Sequence, residues 1–262
     1  MTNMKNILLA IAVAVVVCGC TTFNGSVIPT DAQTLKSKFI KGEFKASNGV
    51  VMQVRTYLPE MTTPRKFPLL VYLHGAGQNG NDNTSQLDDS VGCLYSFTFD
   101  REEYKAVIVV PQCPAGVYWR NEEMLEALKE LVEYYVDNPA IDEDRIYITG
   151  FSMGGDASWK LALAYPDLMS TIVPVCGGPL ASMEPDIPDV PDEMADLNIW
   201  AFNNFNDGVV RPNYSKRIFA KLWDLSDGDH LNFTEYLEGS HNAKQVYKDR
   251  NILIWMLSTK RR

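Results

Sequence analysis

The chain has 262 residues, with 33 acidic side chains against 24 basic ones and a net charge of −9. The one basic cluster is the terminal Lys260-Arg261-Arg262, so a nucleic-acid-binding role has no electrostatic footing, and an acidic surface mildly repels strongly anionic polymers. Only five cysteines are present and none forms a C-x-x-C pair, so a zinc site is not expected.

The first 19 residues read as a secretory signal peptide. Lys5 supplies a positive charge, and residues 7–17 form an unbroken apolar run of 11, too short to span a bilayer. Val17-Cys18-Gly19-Cys20 resembles the bacterial lipobox, which implies lipidation of Cys20 as the first mature residue; a plain signal peptide cut nearby is the alternative. Residues 20–34 are polar, contain glycine and proline, and suit a tether. Residues 35–262 are then expected to form one domain, long enough for a single sizeable core. Beyond Cys20 the cysteines are Cys93, Cys113 and Cys176. At most one disulfide, for example Cys93 with Cys113, is open to them, and buried free thiols are the default.

Two extended runs, 39–45 and 50–58, flank Ala46-Ser47-Asn48-Gly49, a hairpin signal. Residues 67–73, FPLLVYL, are wholly apolar, as a parallel strand covered on both faces requires. They run into the glycine-rich loop His74-Gly75-Ala76-Gly77-Gln78-Asn79-Gly80. A helix is expected over 85–97. A second buried strand, 106–111, exits into Gln112-Cys113-Pro114 and then Tyr118-Trp119. Residues 122–136 place Met124, Leu125, Leu128, Leu131, Val132 and Tyr135 at helical spacing. After a polar turn at 142–145 comes a short strand, 146–149. It meets the sharp turn Gly150-Phe151-Ser152-Met153-Gly154 and leaves as a helix carrying Trp159, Leu161, Ala162 and Leu163. Residues 171–175 form another strand, and 180–196, proline-rich and acidic, an excursion over the surface. Strand 198–202, helix 214–223, strand 231–237 and helix 245–257 complete the chain. Buried strands alternating with helices predict an α/β class, a mostly parallel sheet with helices on both faces.

In such sheets function gathers at the carboxyl ends of the strands. Gly150-Phe151-Ser152-Met153-Gly154 is G-x-S-x-G between a strand and a helix, the context in which the serine hydroxyl is lifted clear as a nucleophile. A serine needs a base to take its proton, and the chain has three histidines. His74 precedes a glycine loop and is expected to shape it. His230, among Asp227, Gly228 and Asp229, reads as part of a solvated turn. His241 follows a strand and precedes the last helix, which makes it the candidate base. The acid that orients an imidazole should lie between serine and histidine in the order Ser…Asp…His, and Asp207 ends the second-last strand. The two oxyanion donors are expected to be the N–H of Met153 and that of Ala76 or a close neighbour. Gln112 and Trp119 are candidates for the substrate pocket.

These segments together resemble the α/β-hydrolase superfamily along residues 39–257. Leu73-His74-Gly75-Ala76-Gly77, Pro111-Gln112-Cys113-Pro114 with Trp119, Gly150-Phe151-Ser152-Met153-Gly154-Gly155, Ile199-Trp200-Ala201-Phe202 leading to Asp207, and Gly239-Ser240-His241 carry the likeness. It is nearest to secreted carboxylesterases and to polyester-depolymerase-like or feruloyl-esterase-like enzymes. Prolyl-oligopeptidase-type catalytic domains share the pattern. The resemblance implies a Ser152–Asp207–His241 triad with no metal or cofactor, acting on a small ester or an acylated polysaccharide. It also implies an exported protein held in the bacterial envelope through Cys20. Relatives carry His-Gly where this chain has Asn203-Asn204, residues that support the acid loop. A serine peptidase using the same triad, and a non-catalytic binding lipoprotein, are the alternatives.

Overall fold

The computed structural model describes residues 36–60, 65–88, 104–180, 182, 188–226, 228–242 and 244–262. The signal peptide, Cys20, the tether, Cys93 and most of the helix expected over 85–97 lie outside them; of that helix the described part is a single 3₁₀ turn, Ser85–Leu87.

Eight strands form one sheet: β1 Ile40–Lys45, β2 Val51–Tyr57, β3 Phe67–Leu73, β4 Val107–Gln112, β5 Ile141–Phe151, β6 Thr171–Val175, β7 Asn198–Asn204 and β8 Leu231–Tyr236, in the order β1-β2-β4-β3-β5-β6-β7-β8. β1 pairs antiparallel with β2 and β2 with β4; every later pairing is parallel. The helices are α1 Glu122–Val136, α2 Met153–Ala164, α3 Asn213–Leu225, α4 Lys244–Lys248 and α5 Arg250–Ser258.

The period-2 alternation of strand side chains divides the core in two. Leu69, Val71 and Leu73 of β3 join Ile146 and Ile148 of β5 and the inward faces of α1, α2 and α3. Leu70 and Tyr72, with Tyr147, Val173 and Phe202, meet Val246, Ile252, Leu253, Met256 and Leu257 from α4 and α5 on the other face. Both faces being covered is why β3 reads as continuous apolar sequence, every one of its residues buried.

Two boundaries differ from expectation, each for a local reason. The polar 142–145 segment is part of β5, not a turn ahead of it. Phe67 pairs with Ile141 but Leu69 with Ile146, so the ladder bulges around the insert, and Arg145 Nε donates to Asp142 Oδ2 at 2.7 Å across it. The last helix is two, because Asp249 takes up an extended conformation and its carboxylate accepts from Asn251 N at 2.9 Å, capping α5.

Candidate active site

β5 delivers the chain to Ser152, which stands at φ 58, ψ −116 between the strand and the first residue of α2. A non-glycine residue there is strained by about 1–3 kcal/mol, and the strain persists because the surroundings over-determine it. Ser152 N donates to Val175 O on the neighbouring strand at 2.9 Å. A Cβ on Gly154 would lie 1.8 Å from Leu73 O, and one on Gly150 would lie 2.5 Å from the Gly154 carbonyl, so α2 can start against β3 only with hydrogen at both positions. The first bond of the helical ladder is Asp156 N–H to Ser152 O, 2.9 Å. The N–H groups of Met153, Gly154 and Gly155 therefore stand ahead of the ladder, at the positive end of the helix dipole and next to the serine. Across the cleft, Gln78 N–H to Gly75 O opens a 3₁₀ turn, Ala76–Gln78, so the Ala76 N–H also precedes any bond of its turn. The two expected oxyanion donors thus sit at two element starts that follow the paired ends of β3 and β5, where Leu73 faces Gly150.

The loop after β8 brings His241 Nε2 to 2.8 Å from Ser152 Oγ. The loop after β7 places Asp207 Oδ2 2.7 Å from His241 Nδ1. A carboxylate can only accept, so Nδ1 carries the proton, which leaves Nε2 free to accept the serine O–H. The Phe151 ring lies against the imidazole, centroids 4.8 Å apart. Asp207 is buried, which raises its carboxyl pKa, but the bond from His241 and those from Val210 N and Val209 N outweigh burial and hold it below the ordinary carboxylate value. The carboxylate is therefore ionised wherever the imidazole needs it.

His74 is buried and shapes its loop. Its Nδ1 donates to Gly75 O at 2.7 Å and its Nε2 accepts from Cys113 N at 3.0 Å; burial lowers its pKa to about 4, so the ring is neutral. The two proposed pocket residues are placed elsewhere than expected. Trp119 is fully buried, its Nε1 donating to His74 O at 3.1 Å. Gln112 is fully buried, with Nε2 donating to Asp82 Oδ1 at 2.8 Å and Oε1 accepting from Asn83 N at 2.9 Å. Both brace the loops from behind and present no surface to a substrate. His230 is also corrected. It is buried, not in a solvated turn, with its ring nitrogens 2.9 Å from Asp229 Oδ1 and 2.5 Å from Ala195 O.

Cys113 and Cys176 are free and buried, and burial pushes both thiols up to about 12. Among the described residues, Cys176, Asp207 and His241 are the one trio whose ligand atoms come within 4.8 Å of one another. It consists of an acid and an imidazole already bonded to each other, with a thiol behind them that burial keeps protonated. Two asparagines near the acid loop also hold the loop that carries His241, a role the sequence did not indicate for either. Asn204 bonds Ser240 O and Asn242 O at 2.6 and 2.8 Å, and Asn206 Oδ1 accepts from Ser240 N at 2.8 Å. No signal in one sequence marks an asparagine as a loop clamp.

Residues 120–246 match the family model for phospholipases and carboxylesterases. The stretch holds Ser152, Asp207 and His241. The chain is 27% identical over 187 residues to a poly(3-hydroxybutyrate) depolymerase from Ralstonia pickettii, covering 63% of this chain and 37% of that one. It is 25% identical over 140 residues to a bifunctional acetylxylan esterase/xylanase from Neocallimastix patriciarum, covering 52% of this chain and 19% of that one. Among solved structures, a thermostable esterase superposes with a TM-score of 0.75 at 29% identity, over 87% of this chain and 64% of the other. The chain spans well under half the length of the two relatives and less than two thirds of the esterase.

Proposed function

We propose that this α/β-hydrolase, of the carboxylesterase and depolymerase type, is an exported serine carboxylic-ester hydrolase that works through Ser152, His241 and Asp207. The observation that carries the reading is the series of two bonds, Ser152 Oγ to His241 Nε2 at 2.8 Å and His241 Nδ1 to Asp207 Oδ2 at 2.7 Å. An ester carbonyl seated against the elbow is attacked by Ser152 Oγ as its proton passes to His241 Nε2. The oxyanion faces the N–H groups of Met153 and Ala76, where negative charge is favoured by two donors that precede the first bonds of their own elements and by the start of α2. The imidazolium, held by ionised Asp207, returns the proton to the departing alkoxide, and a water deprotonated by the same nitrogen clears the acyl-enzyme.

The chemistry needs no further group. Acetyl or feruloyl esters of plant polysaccharides are the proposed substrates, a choice supported by the acetylxylan esterase likeness. A panel of aryl and polysaccharide esters, from acetyl to long acyl and including feruloyl, ranks them. Ser152→Ala should lower kcat for a short-chain aryl ester by a factor on the order of 10⁶; equal rates in the two proteins would sink the assignment. The envelope location rests on the Cys20 sequence context. Cys20→Ala should move ester-hydrolysing activity from the membrane to the soluble fraction, and unchanged partitioning would remove the lipid anchor from this reading.

A further inference from the structure

His241 lies in the loop between β8 and α4, and a loop has no ladder of its own to fix a side chain. Its backbone is held from one direction. Asn204, the last residue of β7, is buried beneath the loop. Its Nδ2 donates to Ser240 O at 2.6 Å and to Asn242 O at 2.8 Å, the two carbonyls that flank His241. Both amide hydrogens are used, and the nitrogen also lies 3.4 Å from Cys176 Sγ. The amide cannot turn over, because Gln245 Nε2 donates to Asn204 Oδ1 at 2.8 Å, and a flipped amide would set an oxygen against two carbonyl oxygens. Ser240 is held at φ 53, with its N–H bonded to Asn206 Oδ1 at 2.8 Å and its carbonyl shared with Asn242 N at 3.1 Å. Gly239, at φ 139, leaves the room the clamp needs: a Cβ there would stand 2.7 Å from Asn204 Oδ1 and 2.9 Å from Gln245 Nε2.

We infer that Asn204 is a positioning residue for the reaction: its side-chain amide, locked by Gln245, ties down both carbonyls beside His241 and so sets the imidazole between Ser152 and Asp207. The clamp stands on the strand that ends in the acid loop, so base and acid are referred to one rigid element. This inference rests on the proposed role of His241 as base. Asn204 touches neither substrate nor a reacting atom. Its loss acts by letting Nε2 drift, and a displacement near 1 Å costs about 10²-fold in rate.

The test compares wild type, Asn204→Ala and Gln245→Met, each checked for a cooperative thermal transition. Two readouts are taken: kcat and KM on an aryl acetate, and the rate at which a fluorophosphonate labels Ser152. Asn204→Ala should lose about 10²-fold in kcat and in labelling rate with KM changed by less than about twofold; Gln245→Met, which only frees the amide to rotate, should lose about threefold to tenfold in both. A folded Asn204→Ala with wild-type kcat and labelling rate overturns the inference, whatever its melting temperature. So does an equal rise in KM with no change in labelling. If Asn204→Ala does not fold, Gln245→Met decides by the same two rates, and wild-type values overturn the inference. A wild type that the probe does not label sinks the role of Ser152, and the inference falls with it. A wild type that labels but turns over no ester removes the substrate class alone, and the labelling rates still judge the clamp.

Discussion

At the scale of single residues the site is organised by what small atoms permit. The Ser152 hydroxyl meets His241 because α2 starts within touching distance of β3, and that approach depends on one missing Cβ. Gly154→Ala would force a methyl to 1.8 Å from Leu73 O and 2.9 Å from His74 O, both backbone atoms that cannot swing aside. The variant should lose about 3 kcal/mol or more of stability. Gly77→Ala meets nothing within 4 Å and should be neutral or stabilising by up to about 1 kcal/mol. Urea unfolding of the two variants checks the contrast, and a Gly154→Ala protein as stable as wild type would refute it. Ser152, Asp207 and His241, which the structure bonds in series, could be picked out together because each follows a strand and their chain order restricts the pairing. Gln112 and Trp119 were misplaced because a strand-end position does not tell whether a side chain turns to the cleft or to the loop behind it. Asn204 reads in the sequence as support for the acid loop, and its hold on the histidine loop was missed for a related reason: its partners there are backbone carbonyls far along the chain, and backbone atoms leave no mark on composition or spacing.

Among elements, apolar continuity was the dependable signal and charge the misleading one. β3, β4 and β6 were readable because both faces of each are covered, so no alternation was needed to find them. α1 coincided with its predicted span because its apolar stripe repeats at helical period. The Asp142–Arg145 stretch looked like a turn because its side chains are polar, yet it remains in β5, its residues exposed or half-buried where the ladder bulges. Charge there reports that the segment leaves the core and says nothing about whether the backbone stays extended. The break between α4 and α5 was hidden for the opposite reason. Val246, Ile252, Leu253 and Met256 keep a continuous apolar face across it, and the interruption is made by one capping carboxylate, Asp249.

For the whole molecule, the buried histidine behind the Ala76 loop couples the fold to pH. His74 is neutral in the folded protein, with its pKa lowered from 6.5 to about 4 by burial, against a smaller opposing effect of its bond to Gly75 O. The unfolded chain takes up a proton as pH drops below about 6.5, while the folded chain takes it up only near pH 4. The unfolded state therefore binds more protons across that window, and stability falls as pH falls. The contribution is full above pH 6.5 and shrinks between there and pH 4 by about 3 kcal/mol, from 1.36 kcal/mol per pKa unit. His74→Gln removes the titration along with the ring's bonds to Gly75 O and Cys113 N, so it should be less stable than wild type at pH 7. The gap in unfolding free energy between the two proteins should then close by about 3 kcal/mol as the pH is lowered from 7 to 4, a comparison in which carboxylates common to both cancel. A gap that stays constant over that range would show that His74 is not the group responsible. Protonation would remove the acceptor at Nε2 that holds Cys113 N–H, and with it one of the bonds that keep the loop carrying Ala76 against the end of β4. If the proposed ester turnover holds, its loss on acidification should include a component that tracks unfolding of this loop and is absent from the His74→Gln protein.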